Sequence, residues 1–139
     1  MVKIDRVSIN KEDKKKYEEL QESEESSLLD FQNKTLYLLA FSLGVKHDIK
    51  PELKSKKGFA RLSTFTEEDK ALIKSLVVEE SNNLEVLDNK AQVYEIADRY
   101  AAGGIRFLYD EVFSDGPGEH SKKIEEELVE LAEDFGENN

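Results

Sequence analysis

The chain has 139 residues and a formal net charge of −11, with 38% apolar and 37% charged residues and no cysteine. That size allows one ordinary core without staples, under heavily charged outer faces. The absence of cysteine excludes disulfides, thiolate zinc sites and cysteine nucleophiles, and the acidity disfavours generic nucleic-acid binding through overall charge.

The first residues, "VKIDRVSI" (2–9), alternate Val2, Ile4 and then Val7, Ile9, which predicts a short, irregular edge strand. No apolar stretch there suits a signal peptide, and a cytoplasmic protein is expected. Residues 10–26 read as a charged surface helix, with Asn10 as N-cap and Tyr17 and Leu20 as its apolar face. Residues 28–44 predict the core helix: Leu36, Leu39, Ala40 and Leu43 fall at i, i+3, i+4 and i+7, Phe31, Leu38 and Phe41 widen the stripe, and Gly44 is placed to end it. The longest nearly uncharged run, 35–45, is too short to cross a bilayer.

Residues 45–65 read as the longest irregular stretch, punctuated by Pro51 and Gly58, with a short strand or apolar plug near 59–65 anchored by Phe59, Leu62 and Phe65. Within it Lys46, Lys50, Lys54, Lys56, Lys57 and Arg61 face only Asp48 and Glu52 in sequence. Lysines spread along a loop suit contact with DNA phosphates, although the protein's own acidic helices are rival partners. Thr66 and Asp69 have the spacing of a capping box and start a helix that ends near "SNN" at 81–83, with Leu72, Ile73, Leu76 and Val77 facing the core.

A further helix follows Asp88, with Val93, Ile96, Ala97, Tyr100 and Ala101 in register. It then meets Gly103 and Gly104, which cost a helix interior about 1 kcal/mol each relative to alanine. Ala101, Ile105, Leu108 and Val112 keep the apolar phase across the pair, so one continuous helix is predicted, with the glycines as a bare patch where the core helix or a partner crosses. Leucine at 103 should not fit such a patch, whereas alanine should be tolerated. "SDGPGEH" (114–120) reads as a linker, and 121–139 as an acidic amphipathic helix with Ile124, Leu128, Leu131 and Phe135 on one face, suited to docking on a partner or a second copy. The expected fold is therefore mainly α: a small bundle of about five helices, with a domain over 1–113 (core 28–113), a linker and a separate C-terminal helix.

Three segments, "LYLLAFSLGVKHDIKP", "EEDKALIKSLVVEESNNLEVL" and "VYEIADRYAAGGIRFL", resemble the small accessory proteins of bacterial and archaeal DNA phosphorothioation (Dnd-type) systems. Those share an aliphatic helix ending in Gly-Tyr or Gly-Val and a late "YANGG"; the latter stands here as Tyr100-Ala101-Ala102-Gly103-Gly104, with alanine where asparagine is usual. The resemblance spans about 28–110, leaving the charged N-terminal helix and acidic tail outside. It implies a place in DNA modification, restriction or phage defence and transfers no catalytic residue.

No phosphate-loop, GxSxG or EF-hand pattern is present. His47 and His120 have no ligand spacing, and Glu79, Glu80 and Asp88, or Asp110 and Glu111, read as solvated helix faces. The expectation is a non-enzyme without cofactor or metal. It would be an adaptor binding a larger component of the system through Gly103, Gly104 and the C-terminal apolar face, with no membrane partner and with self-association open to it. The alternatives are a DNA-binding accessory using 46–61 and an acidic DNA mimic.

Overall fold

The computed structural model describes residues 4–26 and 28–113. Strand β1 (Arg6–Asn10) leads through a 3-10 turn (Lys11–Asp13) into α1 (Lys14–Glu22); α2 (Asn33–Lys46) follows. Strand β2 (Lys56–Arg61), a second 3-10 turn (Leu62–Thr64) and α3 (Glu67–Ser81) come next. A third 3-10 turn (Leu84–Asp88) then precedes α4 (Lys90–Val112). The fold is mostly helical with one short sheet, close to the expectation. Four α-helices lie among the described residues. The linker 114–120 and the helix expected over 121–139 fall outside them.

α2 is buried round most of its girth: Leu36, Tyr37, Leu38, Leu39, Ala40 and Phe41 have no exposed surface. Its principal neighbour is α4, which is a single helix through Gly103 and Gly104. The reason is steric. A Cβ on Gly104 would land on the Ala40 carbonyl and lie 2.8 Å from Gly44 N, and a Cβ on Gly44 would strike the Tyr100 carbonyl. The two helices cross with backbone against backbone, glycine from each side. Gly44 is thus a packing residue and not the helix end that the sequence suggests. The end is a Schellman motif closed by Asp48 (φ 52°): Ile49 N donates to Gly44 O (2.9 Å) and Asp48 N to Val45 O (3.2 Å). Gly103 faces the loop after α2, where a Cβ would meet the backbone of Ile49, so alanine there is not the tolerated change the sequence implies.

β1 and β2 form an antiparallel ribbon, with Arg6 opposite Arg61, Val7 opposite Ala60, then Ser8 opposite Gly58 and Ile9 opposite Lys57. The register jump leaves out Phe59, whose ring packs on Tyr17 at 4.3 Å between centroids. Val7 and Ile9 are buried, so the odd positions win and the strand starts later than the alternation from Val2 indicates. Asn10 does not cap α1; its side chain accepts from Lys54 N (3.0 Å) and Ser55 N (3.4 Å), 44 and 45 residues away. α2 begins at Asn33, not 28, because Asp30 adopts φ 66° and breaks the helical run.

At α3 the capping box is present as expected: Asp69 N donates to Thr66 Oγ1 (3.0 Å) and Thr66 N to Asp69 Oδ2 (2.9 Å). The same Asp69 oxygen receives Lys34 Nζ at 3.0 Å, tying the start of α3 to α2. Ile73 and Val77 are fully buried, and Leu72 and Leu76 half-buried against the core.

Candidate nucleic-acid interface

The loop between α2 and β2 is short of regular structure but held at three points. Its start is fixed by the Schellman motif, with Ile49 lying over Gly103. Its middle is fixed by Arg99, whose guanidinium donates to the carbonyls of Lys50 (3.1 Å) and Pro51 (3.4 Å). Its end is fixed by Asn10 on the amides of Lys54 and Ser55. A loop anchored in this way presents its side chains at little entropic cost.

Lys46, Lys50, Lys54, Lys56, Lys57 and Arg61 are all exposed. Lys56, Lys57 and Arg61 lie on β2 and not in the loop to which the sequence assigns them. Among the described residues none of the six has a carboxylate within 4 Å, although Arg6, Lys14, Lys16, Lys34, Lys70 and Arg106 do. Lys50 Nζ sits 5.5 Å from the Tyr100 ring centroid instead. The ribbon adds cations that sequence spacing does not connect to the loop: Arg6 stands opposite Arg61, and Lys11 and Lys14 come up beside Lys57. The Lys14 amine in hydrogen-bonding contact, followed by repulsion from Lys14 and Lys11, lowers the Lys57 pKa below the ordinary lysine value. Crowded amines of this kind favour a nearby anion.

Behind the ribbon lies a buried carboxylate that the sequence does not single out. Asp98 of α4 accepts from Ser8 N (3.1 Å) and from the Tyr37 hydroxyl (2.8 Å), joining β1, α2 and α4. Burial raises its pKa to about 7, against the opposing pull of the two hydrogen bonds and Lys56. Tyr37 is pushed well above the usual tyrosine value by burial and the Asp98 charge. Asp13, which the sequence places in a solvated first turn, is also buried; burial raises its pKa, and Arg106 Nε (3.7 Å) and Lys16 Nζ (3.8 Å) partly offset that. These groups line a pocket of about 380 Å³ with Glu12, Pro51, Glu52 and Lys54. Its acids and bases are matched in number, so the pocket selects neither an anion nor a cation and works as a clamp between the turn before α1 and α4.

The remaining sequence candidates are dispersed. His47 is exposed at the end of α2, with its ring 4.2 Å from that of Phe107. Glu79, Glu80, Asp88 and Asp110 are exposed and Glu111 half-buried. Gly103 and Gly104 are buried, their bare backbone covered by Ile49 and by α2, which leaves no open patch there for a partner. His120, Ile124, Leu128, Leu131 and Phe135 lie outside the described residues. Among the described residues no group of three His, Asp or Glu side chains is placed to hold a metal ion, and no helix is long and apolar enough to cross a membrane.

A family model described as DNA sulphur modification system-associated protein 4 matches residues 6–138. The match takes in the N-terminal charged helix and the acidic tail, both of which the sequence resemblance leaves out. No curated protein and no solved structure matches the chain. The chain belongs to the DNA sulphur modification system-associated protein 4 family and is an accessory of such a system.

Proposed function

We propose that the chain serves its DNA sulphur modification system in the cytoplasm by binding and not by catalysis, and that its β1–β2 ribbon and the preceding loop lie against the phosphate backbone of DNA. The observation that carries this reading is the set of six exposed cations at 46–61, none with a carboxylate within 4 Å among the described residues, joined by Arg6, Lys11 and Lys14, on a chain of net charge −11. Had these lysines served to neutralise the acids of the described residues, they would sit within ion-pair distance of them. The non-catalytic half is supported by what the fold does with its buried carboxylates: Asp98 is taken up by Ser8 and Tyr37, and Asp69 by its own capping box and Lys34. A role in restriction or phage defence is what the sequence resemblance implies, and no residue of this chain bears on it. The DNA-mimic alternative leans on the acidic tail, outside the described residues.

Salt dependence tests the reading. Duplex DNA binding should weaken steeply with salt, and replacing Lys54, Lys56 and Lys57 together by glutamine should flatten log K against log[salt] by about 2–3 units, near 0.9 per lost phosphate contact. Equal affinity and slope for the triple variant and the parent would overturn it.

A further inference from the structure

Four large apolar side chains are substantially exposed among the described residues: Leu29 (40%), Ile49 (39%), Leu84 (73%) and Leu87 (43%). Leu84 and Leu87 share one element, the 3-10 turn Leu84–Asp88 between α3 and α4. Side chains at i and i+3 eclipse in a 3-10 helix, so the two leucines form one projecting knob. Val86, 4% exposed, turns the other way and anchors the turn in the core.

The knob is held rigidly. Asn82 takes a left-handed conformation (φ 53°) that ends α3. Asn83 Oδ1 then accepts from Glu85 N (2.9 Å), Asn89 N donates to Val86 O (3.1 Å), and Asn89 Oδ1 caps α4 through Gln92 N (3.1 Å). Asn82 and Asn83 before the turn and Asn89 after it thus fix both of its ends. A surface loop selected only for solubility would have no use for two exposed leucines on so stiff a mount.

Its surroundings are acidic. Glu79, Glu80, Glu85 and Asp88 flank the leucines, Lys90 is the lone basic residue between 79 and 95, and none of the four acids has a cation within 4 Å among the described residues. We infer that the Leu84–Leu87 knob is a docking element for a protein component of the system that offers an apolar socket rimmed by lysine or arginine. Charge selects this occupant. A two-fold pairing of copies would set knob on knob and acid rim on acid rim, the basic ribbon a head-to-tail copy could present is assigned to DNA, the glutamate-rich C-terminal segment carries the same sign as the rim, and DNA is repelled. The inference rests on the ribbon binding DNA only in setting aside the head-to-tail copy.

The test is co-production of the full-length tagged chain with the other proteins of its DNA sulphur modification system. One component should be retained by the parent chain. Retention should fall about tenfold or more in L84S/L87S, whose burial in the socket is lost. In E79Q/E80Q/E85Q, binding of that purified component should weaken and lose much of its salt dependence. K54Q/K56Q/K57Q should retain it fully, which separates failure here from failure of the DNA reading. Thermal melting checks the fold; if L84S/L87S melts early, L84K alone decides, since Leu84 is the more exposed. Undiminished retention in the leucine variants, or retention of no component, overturns the inference. So does parental self-association that these variants abolish, which would assign the knob to a second copy.

Discussion

The α2–α4 crossing and the β1–β2 ribbon with its loop differ in what fixes them. At the crossing, position is set by excluded volume: Gly44 and Gly104 let two backbones touch, and a wall of fully buried side chains from Leu36 to Phe41 leaves no alternative packing. At the ribbon, Val7 and Ile9 seat β1 on the core, and the loop and strand edge are then positioned by hydrogen bonds from single side chains: Asn10, Arg99 and Asp98. The first region is tightly constrained by sterics and offers nothing to a ligand. The second turns one face to solvent, and that face is rich in cations that have no carboxylate within 4 Å among the described residues. Under the proposed DNA reading, stability and binding fall to different residues, and substitutions should separate them.

The largest effect belongs to the crossing. Gly104→Ala puts a methyl group on the Ala40 carbonyl, backbone against backbone, where no rotamer change relieves it. Overpacking of a core typically costs about 1–3 kcal/mol, and this contact should reach ~3 kcal/mol or more, with Gly44→Ala close behind. Gly103→Ala presses on the Ile49 loop, which has more room to give, and should cost about 1–2 kcal/mol. Urea midpoints at unchanged m measure all three. If Gly104→Ala proved milder than Gly103→Ala, the crossing would not be the rigid partner in this comparison.

Asp98 joins the two regions and makes the next largest change, one that depends on pH. Its carboxyl titrates in the ordinary aspartate range, near 3.8, when unfolded, and burial raises that to about 7 in the fold. Between these values the folded state holds a proton that the unfolded state has released, so stability falls as pH rises through that window and levels off above it. Asp98→Asn keeps an acceptor for Ser8 N and Tyr37 and removes the charge. Its midpoint should exceed the parent's at pH 8 by a few kcal/mol at most, approach it at pH 4, and vary less with pH between. Lys56 and Glu95 also bear on the site, so both proteins should be compared at fixed salt. A variant destabilised equally at both pH values would show that the hydrogen bonds outweigh the buried charge.

A smaller effect is due at the start of α3. Thr66→Ala removes the acceptor for Asp69 N while Lys34 still holds the Asp69 carboxylate, and should cost about 1 kcal/mol. This is also the most legible point of the fold, because a capping box is local: four residues contain its whole geometry. The continuity of α4 was legible for a related reason, since apolar phase carries across two glycines without knowledge of what they touch. The long-range choices were not. Gly44 looks like a helix stop because sequence cannot show Tyr100 beside it. Asn10 looks like a cap because capping and clamping a distant loop use the same amide. Asp98 and Asp13 are two of 31 acids, and only tertiary packing separates a buried carboxylate from a solvated one. The cations of 46–61 could be found by composition, but Arg6, Lys11 and Lys14 join them through pairing of strands 50 residues apart.

The smallest effect on stability should come from Lys57, the most crowded cation of the proposed DNA-binding face. Lys57 is wholly exposed, and Lys14 and Lys11 repel it. Little in the fold needs its charge: its backbone is paired with Ile9, and among the described residues its amine has no carboxylate within 4 Å, the nearby Glu18 pairing with Lys14 instead (3.8 Å). Lys57→Gln should therefore leave the thermal midpoint unchanged or raise it slightly at low salt, and any gain should vanish as salt screens the three amines. The same change should weaken duplex DNA binding and reduce its salt slope by about one unit. A protein that keeps such a repulsion needs something to offset it, and a phosphate brought between the amines does so directly. If Lys57→Gln instead lowered the midpoint at every salt concentration, the lysine would be bracing the ribbon, and the division between a region that folds and a region that binds would fail at its sharpest point.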